Sequence, residues 1–286
     1  MNRLLTAEFT RLWKSTIFRL CMLFAGGLGI FCVVMRWIDV RQNAEIYAQL
    51  SPEYRTAEGL FFAGALYLIF AAAVLVGLFV GTEFSDGTIR NKLTAGHNRR
   101  DIYLTELIVC IVADSLMLLV NGLAVWVLGD LLLGKMSMNA SEILPLCGVS
   151  ITAFCALTAV LLLLMMSLQS KAIGSVACLL VVIISMFAGL TISQRLAAPE
   201  YYEPYTFEDE QTGELIQVER EKNPRYLTGT KRQCFEFLDQ FLPFSQLYRV
   251  CMNNSEHLGR MAWYDGALIL VATGVGIVIF QKKNLK

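Results

Sequence analysis

Six runs of apolar residues, each long enough to cross a bilayer as a helix, constrain this sequence more than any motif does. They lie at residues 18–37, 60–80, 104–133, 144–168, 172–193 and 263–280. About 20 apolar residues in a helix span the ~30 Å hydrocarbon layer, and helices satisfy their own backbone there. We therefore predict an all-α integral membrane protein with six transmembrane helices. The third run exceeds what a bilayer needs, so we expect it to tilt or to extend beyond the membrane.

The composition agrees with a membrane protein and excludes other classes. Apolar residues make up 56% of the chain and charged residues 17%, against about 45–50% and about 25% in soluble domains. The net charge of zero argues against a nucleic-acid partner. The eight cysteines form no CxxC pair and no Cys/His cluster, so no metal site is predicted. Cys234 and Cys251 lie together in a polar segment, where they are either free thiols or a disulfide.

Basic residues in the short loops predict the orientation in the membrane. One side carries twelve of them: Arg3, Arg11, Lys14, Arg19, Arg90, Lys92, Arg99, Arg100, Lys171, Lys282, Lys283 and Lys286. The other side carries four: Arg36, Arg41, Arg55 and Lys135. We therefore expect both termini and the 83–103 loop in the cytosol, and the long 194–262 loop outside.

The N-terminal segment, residues 1–16, is amphipathic on a helical wheel. One face carries Met1, Leu5, Phe9, Leu12 and Trp13, and the opposite face carries Arg3, Thr6, Thr10 and Lys14. This pattern is typical of a helix that lies in the membrane interface with its Trp at headgroup level. The alternative is an ordinary basic flank before the first span.

The 83–103 loop is short, charged and predicted to contain a helix. Ser85 or Asp86 can cap that helix, and Gly96 fits the position that ends it. Ile89 and Leu93 are four residues apart and share a face. The segment is either a docking helix for a partner's groove or a tight charged turn at the membrane boundary.

The run Glu83-Phe84-Ser85-Asp86-Gly87-Thr88-Ile89-Arg90 resembles the E-[YF]-x-x-G-T-[IL]-[RK] loop of ABC-2 type permeases. These are membrane subunits of ATP-driven exporters. The resemblance implies that residues 1–16 form an elbow helix and that the loop contacts a separate ATPase subunit. The residues that it assigns to ATPase coupling are Glu83, Gly87, Thr88, Ile89, Arg90 and Leu93. We expect Glu83 to anchor the loop to the N-terminal helix or to span ends, and Arg90 to pair with an acid of the partner.

The outer loop resembles that of a Firmicute subgroup that includes antibiotic- and lantibiotic-type exporters. Asn223-Pro224-Arg225-Tyr226 and the later Leu242-Pro243-Phe244-Ser245-Gln246 carry this resemblance, with Ser245 at a position where the subgroup has Gly. Residues 200–221 are acidic and predict either a solvated loop or a surface for a cationic ligand. Residues 231–250 predict an amphipathic helix, broken at Pro243, that lies on the outer leaflet or caps the exit of a pathway.

Asp114 is the one clear acid that we assign to the interior of a span, and Asn121 follows on the same face. Asp114 is either functional, or hydrated near the cytosol or hydrogen-bonded to a neighbouring helix. Residues 129–136 almost match a phosphate-binding loop, but Met136 replaces the hydroxyl that holds magnesium. We therefore predict no ATPase and no cofactor in this chain, with ATP and Mg²⁺ on a partner subunit.

Together these features predict one domain over residues 1–286 that serves as the permease subunit of an ABC exporter in a bacterial cell membrane. Its expected partners are ABC ATPase subunits, a second permease copy or paralogue, and the lipid bilayer. The substrate class implied by the resemblance is an antimicrobial peptide or another amphipathic drug. The alternative is a non-transporting sensor or assembly subunit that uses the outer loop as a receptor.

Overall fold

The computed structural model describes residues 2–51, 55–136, 138–208, 215–218 and 220–283. Within these ranges six helices are long and apolar enough to cross a membrane. In chain order the elements are α1 (Asn2–Lys14), α2 (Thr16–Gln42), α3 (Ala44–Gln49), α4 (Glu58–Phe61), α5 (Ala63–Ser85), α6 (Thr88–Thr94), α7 (Arg99–Leu132), α8 (Ala140–Leu168), α9 (Lys171–Ala197), β1 (Tyr205–Glu208), β2 (Leu215–Val218), α10 (Gly229–Phe241), α11 (Pro243–Cys251) and α12 (Leu258–Lys282).

The spans are α2, α4 with α5, α7, α8, α9 and α12, which confirms the all-α membrane fold. Polar caps start α2 and α8 before the apolar runs. Ser15 caps α2 by accepting a hydrogen bond from the Phe18 amide, and Asn139 with Glu142 forms a capping box on α8. The 34 residues of α7 rise about 50 Å. This helix begins before the predicted run, on the side of the basic loops.

Helices α5 and α8 form the centre of the bundle, whereas α2, α9 and α12 expose most of their surface. Small residues on α5 let its neighbours approach closely, as is common between membrane helices. A Cβ added at Gly77 would lie 2.8 Å from the Ser175 Cα of α9. A Cβ added at Gly276 of α12 would overlap the ring of the buried Tyr103 of α7.

One end of the bundle carries α1, α6, the α8–α9 turn and the end of α12. Arg99 Nη1 donates to the carbonyls of Phe280 at 2.8 Å and Gln281 at 3.2 Å, and the Lys283 ammonium donates to the Ser167 carbonyl. These contacts hold the predicted cytosolic loops together on one face of the described chain. The opposite end carries the hairpin, α10 and α11.

Residues 229–251 form two helices with a break at Leu242, and Pro243 occupies the first turn of the second. The alternative that this segment lies on the outer leaflet is wrong for α11, and the alternative that it caps the exit of a pathway stays a prediction. Ser245, Gln246 and Leu247 are fully buried against the spans. The amphipathic pattern is the same whether the apolar face meets lipid or protein, and here it meets α5, α8 and α9. Cys234 and Cys251 are both free thiols.

The outer loop contains an antiparallel hairpin, which the sequence did not predict, with Tyr205 opposite Val218. Asn223 closes its base. The Asn223 side chain donates to the Pro199 carbonyl at 2.9 Å and accepts from the Tyr202 hydroxyl at 3.0 Å. Much of the acidic segment at 209–214 and 219 lies outside the described residues.

Candidate functional site

The short helix α6 connects two spans and is defined by glycines at both ends. It starts after Gly87, which has a φ of +69°, and Gly96 with a φ of +88° follows its last turn. Both angles lie in the left-handed region that glycine adopts without strain. Gly96 thus takes its predicted place. The predicted cap of α6 at Ser85 or Asp86 is wrong, because α5 continues through Ser85. The Ser85 hydroxyl and the Asp86 amide both donate to the Thr82 carbonyl of α5.

The face of α6 that carries Ile89 and Leu93 points into the protein. Ile89 is 1% exposed within the main core, and Leu93 packs against the same core. The expectation that Ile89 is presented to a partner is therefore wrong: its contacts are internal. Arg90, Asn91 and Thr94 form the exposed face of the helix. The Thr88 hydroxyl donates to the Glu83 carbonyl at 3.2 Å and ties the start of α6 to the end of α5.

Five charged side chains meet beneath α6, and we call them the charge cluster: Glu8, Arg11, Glu83, Lys92 and Glu106. They come from α1, α5, α6 and α7. Lys92 Nζ lies 2.6 Å from Glu8 Oε1 and 2.9 Å from Glu106 Oε1, and it also pairs with Glu83. A single ammonium on α6 therefore contacts carboxylates on three other helices.

Arg11 reaches the same three carboxylates from the other side. Its Nε lies 3.0 Å from Glu8 Oε2 and its Nη2 lies 3.2 Å from Glu106 Oε2, while Nη1 pairs with Glu83. The guanidinium carbon also lies 3.9 Å from the ring centroid of Phe79. This planar cation stacks on an aromatic ring while its edge holds acids, which a lysine cannot do. Glu83 thus lies against the N-terminal helix, one of the two places that we expected for it.

The three acids of the charge cluster are buried, its two bases are partly exposed, and the cluster carries one more acid than base. The three carboxylate side chains are at most 4% exposed. Burial raises the pKa of Glu8 above its usual value, the nearby Glu106 adds to the rise, and Arg11 and Lys92 oppose it. Oxygens of the three acids lie within 4.8 Å of one another, a spacing that suits a metal ion. Arg11 and Lys92 already supply cations to all three, so the arrangement is an ion-pair network that joins helices.

Sequence reasoning missed most of this cluster. Leu4, Glu8 and Leu12 form the buried stripe of α1, rotated from the face that the helical wheel suggested. The sequence did offer one signal for this face: Glu8 lies four residues from both Leu4 and Leu12 and therefore shares a helical face with them. Glu106 lies inside the third apolar run and is fully buried, so the assignment of Asp114 as the one clear acid in a span is wrong.

The two polar residues predicted inside the third span connect helices. Asp114 is 1% exposed and accepts a hydrogen bond from the Thr158 hydroxyl of α8. This placement corresponds to the alternative of a hydrogen bond to a neighbouring helix. Asn121 Nδ2 donates to the Ala25 carbonyl of α2 at 3.0 Å.

A further buried acid, Asp265 of α12, was also missed although it lies inside the last predicted run. It is fully buried and accepts from the Thr152 hydroxyl of α8 at 2.7 Å. Nearby, Gln246 of α11 donates to the Gln240 carbonyl at 2.8 Å. Asp114 and Asp265 thus both bond to hydroxyls of α8, the central helix.

Comparison with known families explains this arrangement of spans, amphipathic start and charged loop. The family model described as ABC-2 family transporter protein matches residues 4–191. The chain belongs to the ABC-2 transporter family. The match covers α1 through most of α9, so it includes all five members of the charge cluster of this ABC-2 protein. A search of curated proteins finds no match to the chain.

Proposed function

We propose that this ABC-2 protein is the permease subunit of an ATP-driven exporter and that α6 transmits movement from a separate ATPase subunit to the spans. The charge cluster is the observation that carries the proposal. Lys92 is the only charged residue of α6 that points inward, and its partners lie on α1, α5 and α7. A displacement of α6 would therefore act on three helices at once.

The exposed face of α6 suits a partner subunit. Arg90 and Asn91 are exposed, and Arg90 offers a cation to an acidic residue on the ATPase. The inner face is already occupied by Ile89 and Leu93 in the core. A coupling helix has to bind the ATPase with one face and the spans with the other. The outer and inner faces of α6 meet these two requirements.

The remaining features of the proposal follow from the sequence and the family. The basic bias places α1, α6 and the described C-terminal end in the cytosol, and the hairpin outside. Because side chains of α5 and α8 fill the centre of the described bundle, we place the transport route between two permease subunits, either identical copies or paralogues. The substrate class is an antimicrobial peptide or another amphipathic drug, and the membrane is that of a bacterial cell.

The test is a pair of substitutions on the exposed face: Arg90→Glu, which reverses a charge, and Asn91→Glu, which adds one. Both side chains are exposed, so the folded permease should be retained. Co-purification of the ATPase subunit should fall at least tenfold, the scale on which interface hot spots act, and export should be lost with it. Lys14→Glu reverses an exposed charge on α1 and is the matched control.

Normal complex formation and normal export by the double variant would reduce α6 to a membrane-boundary turn. If no ATPase subunit co-purifies with the unaltered permease from its native membrane, the non-transporting sensor or assembly role is favoured instead. Substitution of Ile89 would not separate these outcomes, because a buried residue affects folding as well as binding.

A further inference from the structure

A cleft of about 360 Å³ opens on the side of the bundle between α4–α5, α7 and α8, away from the charge cluster. Its walls include Phe61, Leu119, Leu123, Trp126 and Cys147. The volume lies in the range of small-molecule sites, about 300–1,000 Å³. It is more than twice the ~150 Å³ of an engineered apolar cavity that binds benzene.

The cleft is as tall as one leaflet. Its α7 wall runs from Ser115 to Trp126, and these eleven residue steps rise about 16 Å. Half of the ~30 Å hydrocarbon layer is about 15 Å. The lower end lies beside Asp114, near the middle of α7, and the upper end reaches Met136 beyond the end of that helix. The cleft therefore lies in the leaflet on the hairpin side.

Two of the three Ser and Asn side chains in the wall are already hydrogen-bonded within the protein, and the third is Ser115. Asn121 donates to the Ala25 carbonyl, and the Ser150 hydroxyl donates to the Leu146 carbonyl at 2.9 Å. The wall offers a ligand chiefly hydrocarbon, so an occupant with a polar group at this depth would lose hydrogen bonds to water without replacing them. Leu119, Leu123 and Trp126 at the rim are 55%, 45% and 51% exposed, so the cleft opens sideways toward lipid.

We propose that this cleft binds one acyl chain of a phospholipid from the leaflet on the hairpin side. Size separates this occupant from a helix of a second permease. A helix is about 10 Å across, so a helix packed on the rim could place only individual side chains in a cleft of about 360 Å³. An extended hydrocarbon chain is thinner and follows the full height of the α7 wall.

The experiment uses the purified permease in nanodiscs of phosphatidylcholine that contain a few per cent of a phosphatidylcholine with a photoactivatable group in its acyl chain. Cross-linked peptides are mapped by mass spectrometry. Adducts on 115–126 and 143–151 should exceed those around Phe187 of α9 and Leu270 of α12 about tenfold, a ratio typical of a modest binding preference. Both reference residues are exposed apolar side chains.

Cys147→Trp places a large side chain in the cleft and should reduce the adducts to the level of the reference helices. Leu144→Trp is the control, because Leu144 is 69% exposed on the same helix and lies outside the cleft wall. Equal labelling of all exposed faces, or undiminished labelling of a folded Cys147→Trp protein, would overturn the proposal.

A second measurement avoids the risk that Cys147→Trp misfolds. Phospholipids brominated along the acyl chain should quench Trp126 fluorescence in a variant whose other three tryptophans, Trp13, Trp37 and Trp263, are changed to Phe. Fluorescence should fall in direct proportion to the fraction of brominated lipid if Trp126 contacts one bound chain, because brominated and ordinary chains exchange at a single site. Quenching that levels off at a low fraction of brominated lipid would show contact with several bulk lipids and would refute binding. Neither assay contains an ATPase subunit, so its result is independent of the proposed export function.

Discussion

Lys92 Nζ lies 2.9 Å from Glu106 Oε1, which joins α6 to the first turns of α7. The same ammonium contacts Glu8 and Glu83, so the position of one short helix is set by three others. Loss of one partner from a buried ion pair leaves an uncompensated charge and is more costly than replacement of the whole pair by apolar residues. This asymmetry makes the charge cluster testable by single substitutions.

Lys92→Met should strongly destabilise the permease. The substitution keeps the length of the side chain but leaves three buried carboxylates with only Arg11 as their cation. The expected cost is about 3–5 kcal/mol, read as a lower thermal stability of the purified protein in detergent. Lys92→Arg keeps the positive charge and should lower the thermal stability much less. Equal stability of the Met and Arg variants would mean that the charge of Lys92 contributes nothing.

Glu8→Gln should change how stability depends on pH. Because the folded protein raises the pKa of Glu8, the fold favours its protonated form. The contribution of this protonated form to the free energy of unfolding is complete below the ordinary pKa of Glu. It is lost as pH rises through the raised pKa of Glu8. Unaltered protein should therefore lose stability relative to Glu8→Gln as pH increases from 4 to 7. Parallel stability curves for the two proteins over this interval would contradict the assignment.

Thr158→Val should cost about 1–3 kcal/mol, because it removes the hydroxyl that donates to the buried Asp114. The double variant Asp114→Leu with Thr158→Val removes both polar groups and should be more stable than Thr158→Val alone. A double-mutant cycle on thermal stability measures the coupling. Additive effects would mean that the two residues do not interact in the membrane-embedded protein.

Gly276→Ala should destabilise the packing of α12 against α7, whereas Gly274→Ala should be close to neutral. A Cβ at Gly276 overlaps the Tyr103 ring, and a Cβ at Gly274 meets nothing within 4 Å. Overpacking of this kind typically costs about 1–3 kcal/mol. The two variants share a helix and a substitution, so the difference in their thermal stabilities isolates the close approach. No difference would place α12 farther from α7.

The native Cys234 should react with a membrane-impermeant maleimide in intact cells, because it is exposed on α10 at the hairpin end. A cysteine introduced at the exposed Asn98 in a Cys234→Ser background should react only after permeabilisation. This pattern is what the bias of basic residues requires. The reverse pattern would invert the membrane orientation and place the charge cluster outside the cell.

The local ends of α6 show how far sequence reasoning reaches. Gly96 was placed correctly because a left-handed residue after a helix is a local requirement that glycine meets. The start was wrong because the extent of α5 depends on the spans around it, and α5 continues through Ser85. Ile89 illustrates the same limit. Its helical face was predicted, but a face alone does not specify whether a partner or the chain itself covers it.

The sequence by itself determined the six spans and the all-α class, because hydrocarbon leaves the backbone no other way to satisfy its hydrogen bonds. It also determined the break at Pro243 and the amphipathic character of the segments on either side. These are properties of single segments, fixed by composition and periodicity.

Only the tertiary structure decided which amphipathic faces meet protein and which buried charges meet one another. Glu8, Glu83 and Glu106 are far apart in the chain, and their burial is tolerable only because Arg11 and Lys92 arrive at the same point. A charged residue in an apolar stripe is unfavourable until its counter-charge is supplied from another helix. That supply depends on how all the helices pack, which is information that no single segment contains.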